Sequence, residues 1–386
     1  MSIRRLSTLA AVLVAAAALG GTLTPVAGAA DAPIRIGLEG PLSGDQKAIG
    51  TGMLKGAQLA ASQVNARGGI GGRKVEIVAI DDAADPKVGV AAAKKAIARG
   101  LDGVVGPYNS GVGAETLPLY ISAGLVPIRL TSADSTNGLG LTLQPMTYQI
   151  APVAADALTT WLGARTVGII YDDTTLYTQT VAAALQSELQ SAGVTITAFA
   201  PIEPGAKSYT STIDQVAATK PDVIYLAAYY PEAGLMAKEM QAAKVSAQCL
   251  ADYGAYSTGF IETAGKKAAQ ACPVVGVPAP NEFSGAKRYV AAYAKKFGDA
   301  PGVWSPYTYD SVNFLLAGVK EVGGFTTAAL SSALTQLTGF SGWTGPVTID
   351  PATGNREPAT VVVLETDKAG EFRIDQDWAT AVGAQV

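Results

Sequence analysis

The stretch KVEIVAIDDAADPKVGVAAAKKAIARGLDGVVGPYNSG, Lys74 to Gly111, decides the fold. Lys74 to Asp82 is an apolar, β-prone run that reads as a strand. Asp85-Pro86 then supplies a helix N-cap with proline in the first turn, which predicts a helix over Val88 to Arg99. DGVVG, Asp102 to Gly106, is a second apolar strand, followed by a Gly-Pro-Tyr-Asn-Ser-Gly loop and a helix through Tyr120.

The same rhythm extends both ways. Upstream, IRIGLEG (Ile34 to Gly40) is a strand with a glycine loop after it. Met53, Ala57, Ala60 and Val64 then fall on one face of a helix, which the glycines of RGGIGGR end. Downstream, LVPIRLTSA is a fourth strand. Strands alternating with helices imply a parallel sheet with right-handed crossovers. The second half repeats the design: TVGIIYDD, a helix from about Tyr177, VTITAFA, a helix from about Tyr209, PDVIYLAAYY, a helix from Glu232, then QCLADYG. Both halves place paired acids at a strand end, Asp81-Asp82 and Asp172-Asp173, an echo of internal duplication. Beyond Pro278 helices are expected at Ser284 to Phe297, Tyr309 to Val322 and Thr326 to Leu337. A hairpin is expected to close the chain, with two β-rich runs flanking the turn at Asp350 to Asn355. No Pro/Ser-rich linker separates the halves, so several short crossings should join them.

The ends and the composition bound the rest. Arg4 and Arg5, an apolar run from Leu9 to Leu19 and the small residues Ala27 to Ala30 read as a secretory signal peptide over residues 1–30, not as a membrane span. At 386 residues, 48% hydrophobic and 16% charged, the chain suits two ordinary domains and excludes disorder. Its formal charge of −4, more negative once Arg4 and Arg5 are removed, makes nucleic acid and anionic membrane poor partners. Cys249 and Cys272 are the two cysteines. Export favours a disulfide between them, with two buried free thiols as the alternative.

The candidates for chemistry thin out quickly. The chain has no histidine, so His-based triads and His metal sites are absent. No Gly-rich nucleotide fingerprint, P-loop or nucleophile elbow follows a strand. We therefore expect no catalytic residue, no metal and no cofactor. The acidic pairs read as helix caps or solvated strand ends. What remains are the loops at the carboxyl ends of the strands, where open α/β sheets bind ligands. Those loops carry Tyr108, Asn109 and Ser110; Thr131 and Ser132; Tyr177; Tyr229 and Tyr230; Asp252 and Tyr253. Gly106 and Gly111 would let the backbone approach a ligand, and Asn109 or Ser110, with the free N–H groups of the next helix, would receive an anionic group.

Three ordered motifs then match a known family: Gly-Pro-Leu-Ser-Gly at 40–44, Asn-Ala-Arg-Gly-Gly-Ile-Gly-Gly-Arg at 65–73 and Asp-Asp-Ala-Ala-Asp-Pro at 81–86. With YDDTTLYTQ, AAYYPEAG and GVWSPYTYDSVNFL further on, the chain resembles the leucine/isoleucine/valine-binding proteins, substrate-binding subunits of branched-chain amino acid ABC importers. The resemblance implies an α/β type I periplasmic binding protein fold, a Venus flytrap of two Rossmann-like lobes with parallel sheets joined by three crossings. The lobes would be 31–149 with 277–343, and 150–276 with 344–386. By position, Asn109-Ser110 and Thr131-Ser132 would hold a ligand carboxylate and part of an ammonium. Tyr108, Tyr177 and Tyr229 would line the cleft and Asp252 would bind the ammonium. The implied function is capture of a small polar metabolite, an amino acid, branched-chain or related, by hinge closure. The protein would be a monomer outside the cytoplasmic membrane, in the periplasm or cell envelope, handing its ligand to ABC permease subunits without inserting in the membrane. This sequence departs from the family pattern at NSGVGAET and YTQT, which keeps an aromatic acid, an amide or another metabolite open as ligand. A sensor that signals to a receptor is the rival role.

Overall fold

The computed structural model describes residues 32–384, so the expected signal peptide lies outside the described residues. The first sheet is built from β1 (Ile34–Gly40), β2 (Val75–Asp81), β3 (Gly103–Val105), β4 (Pro127–Arg129) and β5 (Leu141–Thr142). Between them run α1 (Lys47–Ala66), α2 (Pro86–Ala98) and α3 (Ser110–Ser122). All its strand pairs are parallel, in the order β2-β1-β3-β4-β5. The elements follow from local chemistry: Asp85 accepts N–H bonds from Lys87 and Val88 at 2.7 and 3.1 Å. Met53, Ala57, Ala60 and Val64 form the buried face of α1.

The chain then crosses through α4 (Thr147–Asp156) into a second sheet. Its strands and helices are β6 (Thr166–Asp172), α5 (Leu176–Ser191), β7 (Thr195–Ile202), α6 (Thr210–Ala218), β8 (Val223–Ala227) and α7 (Tyr230–Ala243). Then come β9 (Gln248–Ala251), α8 (Thr258–Ala264), α9 (Lys266–Gln270) and β10 (Val274–Gly276). Next α10 (Ala286–Phe297), α11 (Ser305–Val322), α12 (Thr327–Gln336) and the short pair β11 (Ser341–Gly342) and β12 (Gly345–Pro346) return to the first sheet, where α11 packs on α1 and β3. The chain crosses a third time to finish with β13 (Val362–Thr366), β14 (Phe372–Ile374) and α13 (Gln376–Val382). The second sheet runs β14-β13-β10-β9-β8-β6-β7, with β13 and β14 added antiparallel to an otherwise parallel sheet. Cys249 and Cys272 are bridged, with Cα atoms 4.7 Å apart, and tie β9 to the chain two residues before β10. Closing a loop of 23 residues stabilises by about 3 kcal/mol in the chain-entropy model.

The closing hairpin differs from expectation. The turn at Asp350 to Asn355 forms, with Asp350 N–H donating to Asn355 O at 2.8 Å, but it supports only an isolated bridge between Ile349 and Arg356. The second β-rich run leaves it to pair as β13 with β10 and β14. Buried arginines are the reason. Arg356 donates to the carbonyls of Leu143, Thr344 and Pro346 at 3.1, 2.7 and 2.7 Å, and Arg129 on β4 donates to the Asn355 side chain. The bonds to Leu143 and from Arg129 hold residues 344–357 against the first sheet, so the chain leaves it near Glu357 rather than at 343.

Candidate functional site

Within each half the strand order is the same. β1, β2, β3, β4, β5 and β6, β7, β8, β9, β10 are both arranged with the second strand outside the first and the third on the first's other side. In such sheets the crevice lies beyond the carboxyl ends of the first and third strands, where the order reverses. The loop after β3 carries Tyr108 and Asn109, and the residues after β8 carry Tyr229. The two rings are 6.1 Å apart, so the two switch points face each other across one cleft.

Around that point five aromatic side chains close into a ring. Tyr108 meets Tyr229, Tyr229 meets Tyr177 at 6.0 Å, Tyr177 meets Tyr253 at 6.4 Å, Tyr253 meets Trp304 at 5.2 Å, and Trp304 returns to Tyr108 at 5.6 Å. Tyr108 comes from the first sheet, Trp304 from the residue preceding α11, and the others from the second sheet. The ring borders a cavity lined also by Ser110, Ser132, Leu130 and Gln144, of about 10 Å³, room for about one water.

The cavity wall is short of partners. The hydroxyls of Tyr177 and Tyr253 and the Gln144 Oε1 are buried and have no hydrogen-bond partner. Buried polar groups are normally satisfied, and each orphan costs about 1–3 kcal/mol. All three belong to residues that line one cavity. Ser110 Oγ accepts N–H bonds from Ser132 and Ala133 at 3.3 and 3.1 Å, which leaves its own proton to donate. Ser132 Oγ is held between the Pro145 carbonyl and the Gln144 amide at 2.9 and 3.0 Å. No lysine or arginine lines the cavity. Burial pushes the phenols of Tyr108, Tyr177 and Tyr253 well up, so all three stay protonated donors.

Of the residues singled out from the sequence, Tyr108, Ser110, Ser132, Tyr177, Tyr229 and Tyr253 come together at this cavity. The others do not line it. Thr131 is turned into the first domain, its hydroxyl 2.8 Å from that of Thr136. Asp252 is fully buried behind the ring, where it accepts from the Tyr225 hydroxyl at 2.6 Å and the Gly254 N–H at 2.9 Å. Burial still raises its carboxyl. Asn109 occupies the N-cap position of α3 without capping it. Its amide donates to Gln46 Oε1 at 3.0 Å, its own oxygen is buried without a partner, and the residue borders a larger outer cavity. Gly106 serves the backbone rather than a ligand, since at φ +100° an added Cβ would lie 2.1 Å from the Glu39 carbonyl oxygen. Gln144 and Trp304 escaped the sequence reading. Neither follows a strand of the repeating pattern, and a buried Trp in GVWSPYTYD reads as core.

The paired acids are structural. Asp81 Oδ1 accepts N–H bonds from Leu42, Ser43 and Ala83 at 3.0, 3.1 and 3.0 Å, and Asp172 Oδ1 accepts from Thr174 N–H at 2.8 Å. Among the described residues no cluster of metal-ligating side chains occurs, and no helix is long and apolar enough to cross a membrane.

Comparison with known proteins points one way. A family model described as periplasmic binding protein matches residues 33–371. The Leu/Ile/Val-binding protein BraC3 of Rhizobium johnstonii is 32% identical over 335 residues, covering 85% of this chain and 89% of its own. A Leu/Ile/Val-binding protein homolog of Brucella abortus is 27% identical over 356 residues, covering 90% and 94%. Among solved structures, a leucine-binding protein of Thermotoga maritima superposes with a TM-score of 0.82 at 21% identity, covering 89% of this chain and 97% of its own. A branched-chain amino acid transporter substrate-binding protein of Streptococcus pneumoniae in complex with isoleucine gives 0.81 at 23%, covering 89% and 99%. At such identities the structural likeness bears on the fold.

Proposed function

The chain belongs to the periplasmic binding protein family, among the Leu/Ile/Val-binding proteins, and from that premise we propose that it captures an amino acid, branched-chain or related, between its two lobes and delivers it to an ABC permease. The family is one of substrate-binding proteins rather than enzymes, and its periplasmic members work outside the cytoplasmic membrane. The observation that carries the proposal is the closed aromatic ring, contributed from both sides of the cleft, around a cavity with unpartnered Tyr177 and Tyr253 hydroxyls.

In this reading the first lobe is 31–149 with 277–357 and the second is 150–276 with the remainder of the chain. Ser110, whose hydroxyl proton is free, receives the ligand carboxylate, helped by the uncapped N-terminus of α3, with Ser132 beside it. Tyr177, Tyr229 and Tyr253 close on the ligand from the other lobe. Asp252 acts from behind them, lending negative potential to the side that meets the ammonium. A cavity of one water's size admits an amino acid only after the lobes part. The ligand shifts the equilibrium towards an arrangement of the lobes that gives it both room and contacts on both sides, one wider than that described.

The test is a thermal-shift screen of the protein after partial unfolding and dialysis, with branched-chain and other amino acids, aromatic acids and amides. A ligand at 100 times its dissociation constant stabilises by about 2.7 kcal/mol. Leucine, isoleucine or valine is expected to raise the midpoint, and Ser110→Ala to weaken the effect. A response to aromatic acids or amides alone would overturn the amino-acid ligand while keeping the transport role.

A further inference from the structure

We propose that Glu39 and Asp82 form a buried carboxyl pair that makes ligand capture pH-sensitive: protonated, it braces the loops of the first lobe that meet the ligand, and on losing its proton it loosens them. The link to the ligand rests on the amino-acid reading above; the brace itself does not.

Placement is the first argument. Glu39 pairs with Ile80 in the parallel register of β1 and β2, so Asp82, two residues on, lies on the same face of the sheet. α2 and α3 cover that face. An added Cβ on Gly89 of α2 would lie 3.4 Å from the Asp82 Cβ, and the Thr116 hydroxyl of α3 donates to Glu39 Oε2 at 3.1 Å. The neighbouring layer of Ile80, Ala93, Val104 and Tyr120 is apolar, and Glu39, Asp82 and Tyr120 are wholly buried.

The second argument is the lack of partners. Glu39 Oε1, Asp82 Oδ2 and the Tyr120 hydroxyl make no hydrogen bond, and among the described residues no lysine or arginine pairs with either carboxyl. From β2 and its loop come Asp81, which accepts three backbone N–H bonds, and the exposed Asp85. Lys87, Lys94 and Lys95 of α2 and Glu115 of α3 are exposed, and β3 carries no charge. α1 lies on the other face, where Gly40 meets Met53. Two carboxylates buried together without a cation repel, and a proton between them turns an orphan acceptor into a donor. Burial pushes both carboxyls up, Asp82 to about 7. The chain has no histidine to titrate in that range.

The third argument is what the pair supports. An added Cβ on Gly106 would lie 2.1 Å from the Glu39 carbonyl oxygen, and Gly106 opens the loop that carries Tyr108. Thr116 sits on α3, whose first residue is Ser110. Asp82 Oδ1 accepts the Ala84 N–H at 2.8 Å and so holds a turn in which Ala83 and Ala84 stand at φ +51° and +59°. Side-chain-bearing residues are strained there. A further charge on the pair therefore acts on β1, α3 and this turn together.

A ligand held by these loops favours the protonated pair, so affinity falls as pH rises and binding takes up protons. Leucine, isoleucine and valine keep one zwitterionic form from about pH 6 to about pH 8. Calorimetry on the stripped protein should show them binding about tenfold more weakly at the upper end, with proton uptake read from buffers of different ionisation heat. Asp82→Asn keeps an acceptor for Ala84 and offers Glu39 a donor. It should bind as the wild type does at low pH and hold that affinity at high pH, as should Glu39→Gln. Hydrogen exchange, corrected for its intrinsic pH dependence, should show residues 105–122 of the unliganded wild type losing protection over the same range, and Asp82→Asn keeping it. Unchanged protection overturns the brace. Changed protection with unchanged affinity overturns its link to the ligand, and a pH dependence of affinity that survives both substitutions assigns it to another group, such as Asp252, and does the same. If none of the three amino acids binds, the amino-acid reading falls and the link to their capture with it, while exchange still decides the brace.

Discussion

At the scale of single residues, the hydroxyls of Tyr177 and Tyr253 are buried without partners in the cavity wall, as is Gln144 Oε1. Removing such a group does not cost the unliganded protein, because an orphan contributes only its desolvation penalty. Tyr177→Phe and Tyr253→Phe should therefore raise the unfolding free energy of the unliganded protein by about 1 kcal/mol while weakening the captured ligand about tenfold by calorimetry. Equal losses in both measurements would make the hydroxyls structural. A second residue-scale prediction concerns Asp82. It is buried beside Glu39, and burial pushes its carboxyl up to about 7, with the Ala84 N–H pulling down and Asp81 adding to the rise. Its folded value lies above the unfolded one of about 3.9, so the folded state binds the extra proton. The contribution is complete below about pH 4 and is lost as pH rises through about 7. Unfolding free energy measured over that range should fall for the wild type and fall less steeply for Asp82→Asn.

At the scale of elements, α1 and α11 approach so closely that an added Cβ on Gly56 would sit 2.2 Å from the Ser305 carbonyl oxygen and 2.4 Å from the Thr308 hydroxyl. Alanine at position 56 would gain about 1 kcal/mol of helix propensity. The clash should outweigh it, and chemical denaturation of Gly56→Ala should show a net loss of about 2 kcal/mol. Most elements were legible from local pattern. The Asp85-Pro86 start of α2 and the apolar face of α1 depend on spacing along the chain, and both are as expected. The expected hairpin after Thr344 was not, because its strand propensity is real but its partner is chosen elsewhere: Arg356 and Asn355 are drawn to the first sheet by Leu143 and Arg129, far away in sequence.

At the scale of the whole molecule, two sheets of one strand order face each other through Tyr108 and Tyr229. The cavity between them is too small for an amino acid, and the Tyr230 hydroxyl reaches across the rim to donate to the Asp45 carbonyl. The described state is therefore a closed one. Small-angle scattering of the stripped protein should give a larger radius of gyration than the same protein saturated with ligand. No difference would mean that the lobes do not move on binding.

Sequence alone determined the alternation of strands and helices, the absence of histidine chemistry and the loops in which Tyr108, Ser110, Ser132, Tyr177 and Tyr229 sit, since all of these are set by neighbours within a few turns of chain. The tertiary structure decided what those loops face. It set Trp304 into the aromatic ring, placed Asp252 behind it, left the Asn109 oxygen buried without a partner and returned residues 344–357 to the first sheet. Each of these depends on partners distant in sequence, and a local pattern records that a group must be buried or bonded but not which remote group will do it.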